Sequence, residues 1–261
     1  MLRWLGTLPD GVVFILFGVV AVGLTLGFDL VMRRFVKPET RQRANSTASV
    51  TLQVTATIYA ILMAFVIVDA YSSIGSAQSE VSSKAASLAI ISESSRGLPE
   101  PGAAELRESA VAYAKAVVER GLPHLESSDE LSLGVDDELE TMFRRFRAIE
   151  PTSEPEKASY SSVSRALDAV VATRAKIVDA ALPTIPGPLL LLLVVIGLVV
   201  MAVATLLDTQ HRGSHLFMLS ALALVIWFTL ALVVSLDYPF SGLIRVTDAP
   251  IREFIDFRAA R

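Results

Sequence analysis

Four apolar runs, two on either side of a long polar middle, constrain this chain more than any other feature. They cover residues 12–32, 52–70, 189–207 and 216–236. Each has about the 20 residues that a helix needs to cross the hydrocarbon core of a bilayer. A helix facing water keeps a polar side. Residues 189–207, LLLLLVVIGLVVMAVATLL, offer none. The expectation is a multi-pass protein of the inner cell membrane with the lipid bilayer as its first partner. The first run starts after Pro9-Asp10, and Asp10 suits a helix N-cap. It ends in Arg33-Arg34 and not in a small-residue cleavage site, so it reads as a retained helix and not as a signal peptide.

Charge and composition remove several functions. A net charge of −4 gives nucleic acid no basic surface to bind. The absence of cysteine excludes disulfides and thiolate metal sites. The histidines are His124, His211 and His215. His211 and His215 stand at i, i+4, but without the glutamate of an HExxH site they read as solvated loop histidines. No metal and no cofactor is expected. No nucleophile elbow, phosphate-binding loop or dinucleotide fingerprint is present, so the chain does not read as an enzyme.

The first two runs are joined by MRRFVKPETRQR, with Arg33, Arg34, Lys37, Arg41 and Arg43 against Glu39 alone. Short loops rich in Lys and Arg stay in the cytoplasm. This linker is therefore expected inside, and the polar middle, 71–188, outside. The middle carries 12 Lys/Arg and 18 Asp/Glu, and it is acidic where the linker is basic. The tail, with Arg245, Arg252, Arg258 and Arg261, pulls mildly the other way.

The middle has helical periodicity throughout. Ile74, Val81 and Leu88 recur every seven residues, with Ala77, Ala85 and Ile91 between them. The second run is thus expected to leave the membrane as one long helix, stopped by LPEPG at 98–102. A second helix over 103–122 aligns Leu106, Ala110, Tyr113 and Val117. A third aligns Val135, Leu139, Met142, Phe146 and Ile149, with Pro151 and Pro155 breaking it. A fourth, 156–182, aligns Val163, Leu167, Val170, Ile177 and Ala181 and leads straight into the third run. The expected fold is all-α, with four transmembrane helices in a 2+2 arrangement and a helical extramembrane domain between helices two and three. The expected divisions are 1–71, 72–186 and 187–261. The last ends in an amphipathic tail on the membrane surface, capped by Asp248, with Pro250 in its first turn and Ile251, Phe254, Ile255 and Arg258 on one face.

Ionisable groups in spanning segments raise functional questions by default. Asp29 and Asp208 lie at one end of helices one and three, and Asp69 and Asp237 at the opposite end of helices two and four. Asp29 can pair with Arg33 at i, i+4. All four either anchor their helices at headgroup depth or, for Asp69 and Asp237, form an acidic mouth. In the second run Ser46, Ser49, Gln53 and Thr57 share one helical face. Such a face serves as interhelical glue, worth about 0.6–2 kcal/mol per bond, or as the lining of a pore. Gly23 and Gly27 make a GxxxG, which favours close helix approach. Arg144, Arg145 and Arg147 form a basic cluster, read as a solvated face or an anionic docking point.

The string Leu236-Asp237-Tyr238-Pro239-Phe240-Ser241-Gly242 resembles the hallmark of the bacterial bestrophin-like domain family of membrane proteins. Residues 59–65, YAILMAF, resemble its second membrane helix. Ser87-Leu88, Gly97-Leu98-Pro99, Tyr113, and Arg174 with the proline before helix three are similar too. The resemblance covers about 59–254. It departs at Lys84, where the family tends to place an acid. The name implies kinship with bestrophins, homopentameric anion channels with four membrane helices per subunit and a cytoplasmic helical domain, opposite to the charge-based orientation. Within the motif, Pro239 is expected to end helix four and Gly242 to turn the chain, with Asp237 accepting from the N–H groups that follow.

Two functional readings stay open. One is a homo-oligomer with a path for small ions. The other is a non-conducting scaffold or sensor whose helical domain binds a partner.

Overall fold

The structure is a computed structural model and describes residues 10–35, 38–127, 134–182, 184–207, 211–240 and 245–259. Among the described residues no strand occurs. Helix α1 is Asp10–Phe35, α2 Pro38–Ser94, α3 Gly102–Ala116 and α4 Leu122–Ser127. Helix α5 is Asp136–Arg147, α6 Glu154–Asp179, α7 Gly187–Leu206, α8 Arg212–Leu236 and α9 Ala249–Ala259. A 3₁₀ turn, Ser95–Gly97, closes α2, and a π-helical turn, Val117–Gly121, joins α3 to α4.

Helix α2 runs 57 residues without interruption, as the seven-residue repeat predicts. It ends where Leu98-Pro99 withdraws a backbone donor. Three boundaries differ from the sequence reading. The basic linker is largely helical, because α2 already begins at Pro38 and takes in Arg41 and Arg43. Pro155 does not break a helix but starts one, in the first turn of α6, where its missing N–H costs nothing. There Ser153 and Glu156 form a capping box: the Glu156 N–H donates to Ser153 Oγ, and the Glu156 carboxylate accepts from the Ser153 N–H. And α6 does not run straight into α7, since it stops at Asp179 and α7 opens at Gly187 behind Pro186.

The chain divides into two compact units. The first takes the residues up to Tyr71 together with Ile185–Asp237. Its described helices are apolar and long: Gly187–Leu206, Arg212–Leu236 and the first part of the Asn45–Gly97 stretch have the length and composition to cross a membrane. In α1 the described apolar stretch is Ala21–Val31. This is a membrane unit, and it exposes Leu24, Phe65, Leu191 and Phe217 as a lipid-facing surface must. Helices α1, α7 and α8 pack on one another. The close approaches are not at the GxxxG pair: a side-chain carbon at Gly23 or Gly27 would meet nothing within 4 Å. They are at Gly18, where such a carbon would stand 3.4 Å from Trp227, and at Gly197, where it would stand 3.2 Å from Ile226 and 3.6 Å from the Tyr59 hydroxyl. Gly197 thus lets α2, α7 and α8 meet.

The second unit holds Ser72–Thr184 and the tail from Tyr238. Its core is the set of stripes that the periodicity predicts. Val81 and Leu88 of α2, Leu106 and Tyr113 of α3, Met142 of α5, and Val163, Leu167, Val170 and Ile177 of α6 are fully buried. The tail is a correction. Helix α9 packs on α3, with Ile251 and Phe254 inside this core and not on a membrane surface. It is tied down by Gln78, whose Oε1 accepts from the Thr247 N–H at 2.7 Å and whose Nε2 donates to the Thr247 carbonyl at 3.2 Å.

Candidate functional site

The polar face of α2 is placed by the helix's own packing. One side of α2 is buried through Ala48, Tyr59, Met63, Val66 and Ala70. At 100° per residue, Ser46, Ser49, Gln53 and Thr57 centre about 120° around the helix from it. All four are exposed, and the small residues Ala60 and Ala64 continue the same exposed stripe. The hydroxyls are partly satisfied within the helix. Ser49 Oγ donates to the Ser46 carbonyl at 2.8 Å, and Thr57 Oγ1 donates to the Gln53 carbonyl at 2.7 Å. No other helix of the same chain covers this face. In a single chain it faces outward.

At the end of the membrane unit nearer the first linker, the carboxylate of Asp29 on α1 reaches His215 on α8. Asp29 Oδ1 and His215 Nε2 are 3.2 Å apart, and each side chain is 3% exposed. This corrects two expectations: His215 is a buried helical residue and not a solvated loop histidine, and Asp29 engages across helices. The side chain of Arg33 and all of Asp208 lie outside the described residues.

At the opposite end of α8, Asp237 is buried and its Oδ1 accepts from the Ile185 N–H at 2.8 Å. That donor is 52 residues earlier in the chain, whereas the sequence pointed to donors in the following turn. Asp69 is exposed, so the two carboxylates do not share an open mouth: one faces outward and the other is turned inward. Pro239 is buried three residues past the end of α8, and Gly242 lies outside the described residues.

Lys84 departs from the family pattern, and its surroundings come from residues far along the chain. In the helical unit Lys84 is 0% exposed. Its Nζ donates to the Tyr113 hydroxyl at 3.1 Å and stands 5.4 Å from that ring's centre. Arg174 is near enough to repel it electrostatically, and Arg174 itself is bound by Asp136 at 2.5 Å. Burial first, then the Arg174 charge, lowers the Lys84 amine to about 7. Burial likewise pushes the Tyr113 hydroxyl up. The bond from Arg174 holds the Asp136 carboxyl below its ordinary range.

The basic cluster on α5 is engaged inside the unit. Arg145 pairs with Glu105, Arg144 donates to Thr141 Oγ1 at 3.0 Å, and Arg147 lies 5.7 Å over the Phe143 ring. Among the described residues no group of three or more His, Cys, Asp or Glu side chains is arranged to hold a metal.

Residues 19–251 match the family model of the bestrophin-like domain. The fold is similar to that of a bacterial bestrophin homologue from Klebsiella pneumoniae, solved by crystallography with a point substitution. The TM-score is 0.67 at 13% identity, over 93% of this chain and 96% of that one. At that identity the likeness speaks for the fold. No curated protein matches the chain.

Proposed function

The chain belongs to the bestrophin-like domain family, and from that premise we propose that its copies assemble around an axis lined by α2 to form a path for small ions. In this reading α1 and α2 cross the membrane before the helical domain, and α7 and α8 cross it afterwards. The observation that carries the proposal is the stripe of Ser46, Ser49, Gln53 and Thr57, exposed along α2 beside the face that helix buries. A glutamine amide has two donors and an acceptor to satisfy, and lipid satisfies none of them. A single chain leaves the stripe on its surface, so a second copy or a column of water must cover it. A closed ring supplies both, because each copy presents the same stripe to a common axis.

The family name and the all-helical fold support a membrane channel in general terms. The ring, its subunit number and the ion are the proposal. Two measurements on the purified full-length protein test it. Mass in detergent, corrected for bound detergent, should be a multiple of the 28.1 kDa protomer. Reconstituted in a planar bilayer, the protein should carry current under an ion gradient, and Gln53→Leu should reduce that current without changing the mass. A monomer would overturn the ring and the path together. An oligomer that passes no current would overturn the path and put the scaffold reading in its place.

A further inference from the structure

A cleft of about 640 Å³ opens in the helical unit between the end of α2, the face of α3 and the end of α9. Its wall carries four cations, Arg96, Arg107, Lys115 and Arg258, against two carboxylates, Glu100 and Glu108. Glu100 is already occupied. Its Oε1 accepts from Arg107 at 2.6 Å and its Oε2 from the Ala104 N–H at 2.9 Å. Glu93 stands beside the cleft and holds two of the arginines at long range, Arg96 at 3.4 Å and Arg258 at 3.5 Å. Even with Glu93 counted, four cations meet three carboxylates.

Two lining residues, Ser92 and Arg258, each carry a buried side-chain atom with no hydrogen-bond partner, Oγ and Nε. Ser92 is 0% exposed, and the Arg258 side chain is 10% exposed. Buried polar groups in folded proteins are almost always paired, and an exception points to something that completes the site. An arginine Nε–H only donates, so its partner has to be an acceptor. A serine hydroxyl gives a second donor. Buried donors within a wall of surplus positive charge are the arrangement that recognises an oxyanion, through short charge-assisted bonds.

We propose that this cleft binds a small oxyanion, a phosphate or a carboxylate group, held by Arg258 Nε and Ser92 Oγ and framed by Arg96, Arg107 and Lys115. The occupant ties the tail helix to the end of the long helix that leads to the membrane, since Arg258 belongs to α9 and Ser92 to α2. The site is separate from the stripe on α2, and its existence does not depend on whether the protein conducts.

Thermal unfolding of the full-length protein in detergent tests it, with sodium phosphate, sodium acetate and sodium chloride compared at equal ionic strength. A ligand of the folded state raises the midpoint in proportion to its occupancy. Phosphate or acetate should raise it above the chloride reference, and whichever does so identifies the oxyanion. Arg258→Gln and Ser92→Ala should each raise the concentration needed for half the effect by about tenfold, the loss of one charge-assisted bond. Lys157→Gln removes an equal charge on a remote exposed pair with Glu154 and should leave the response intact. If Arg258→Gln does not fold, Ser92→Ala carries the test, because it deletes a single hydroxyl. Equal midpoints in all three salts would overturn the proposal, as would a response that both cleft variants keep.

Discussion

A lysine amine inside an apolar core has an ordinary partner only when a carboxylate is beside it. Lys84 has a tyrosine hydroxyl and a repelling arginine instead. Its proton is therefore lost at about pH 7 in the folded protein, well below the 10.5 of a free lysine. Between those values the unfolded chain binds a proton that the folded chain has released, so stability rises with pH across that window. Below about 7 both states are protonated, and the folded state carries the full penalty of a buried charge. The expected outcome is that the unfolding midpoint of the detergent-solubilised protein climbs as pH is raised from neutral. Lys84→Met should flatten that climb and raise stability at pH 6 by a few kcal/mol, about 3–5 at most. A variant whose pH profile parallels the parent would show that the amine is solvated. Lys84 was visible in the sequence only as an unusual residue beside Ala85-Ala86. Its burial depends on Tyr113 and Arg174, and no local pattern reports partners so far along the chain. The same holds for His215, whose partner Asp29 lies 186 residues earlier, and for Asp237, whose donor Ile185 precedes it by 52.

At the scale of elements, the apolar stripes of α2, α3, α5 and α6 were legible because a helix in water repeats its buried face every three to four residues. Their boundaries were legible where proline or glycine interrupts the repeat. The tail helix shows where that logic stops. Ile251 and Phe254 form an apolar stripe that would suit a bilayer surface or a protein core equally well, and only the fold decides. The core takes it, and Gln78 supplies the specific tether by accepting from the Thr247 N–H and donating to its carbonyl. Gln78→Ala removes both bonds. It should loosen the tail by about 1–2 kcal/mol without unfolding the unit, since Ile251 and Phe254 stay buried. Hydrogen exchange should then speed up over residues 245–259 and stay unchanged in α6. Uniformly faster exchange through α3, α5 and α6 would mean that the tether supports the whole unit.

At the scale of the whole molecule, two sequence arguments meet the fold differently. The charge rule compared a basic linker with an acidic middle. Arg245, Arg252 and Arg258 already pulled mildly against that rule, and with α9 packed into the helical unit they belong to the same compact body as the middle. The polar stripe gains force, because Ser46, Ser49, Gln53 and Thr57 are all exposed on the single chain, about 120° around α2 from the centre of the side it buries in the membrane unit. If copies surround an axis lined by α2, residue 53 of each copy faces residue 53 of its neighbours, while Phe217 of α8, 75% exposed, faces lipid on the outside. The chain has no cysteine, so a single introduced thiol reports its own position. A short bismaleimide should link Gln53→Cys subunits into a ladder of covalent oligomers, and Phe217→Cys subunits should stay single under the same treatment. The contrast matters more than the yield, because random collision in the membrane would favour the outer position. Ladders from Phe217→Cys with none from Gln53→Cys would place α2 away from any shared axis. The stripe would then be covered by something other than a copy of this chain.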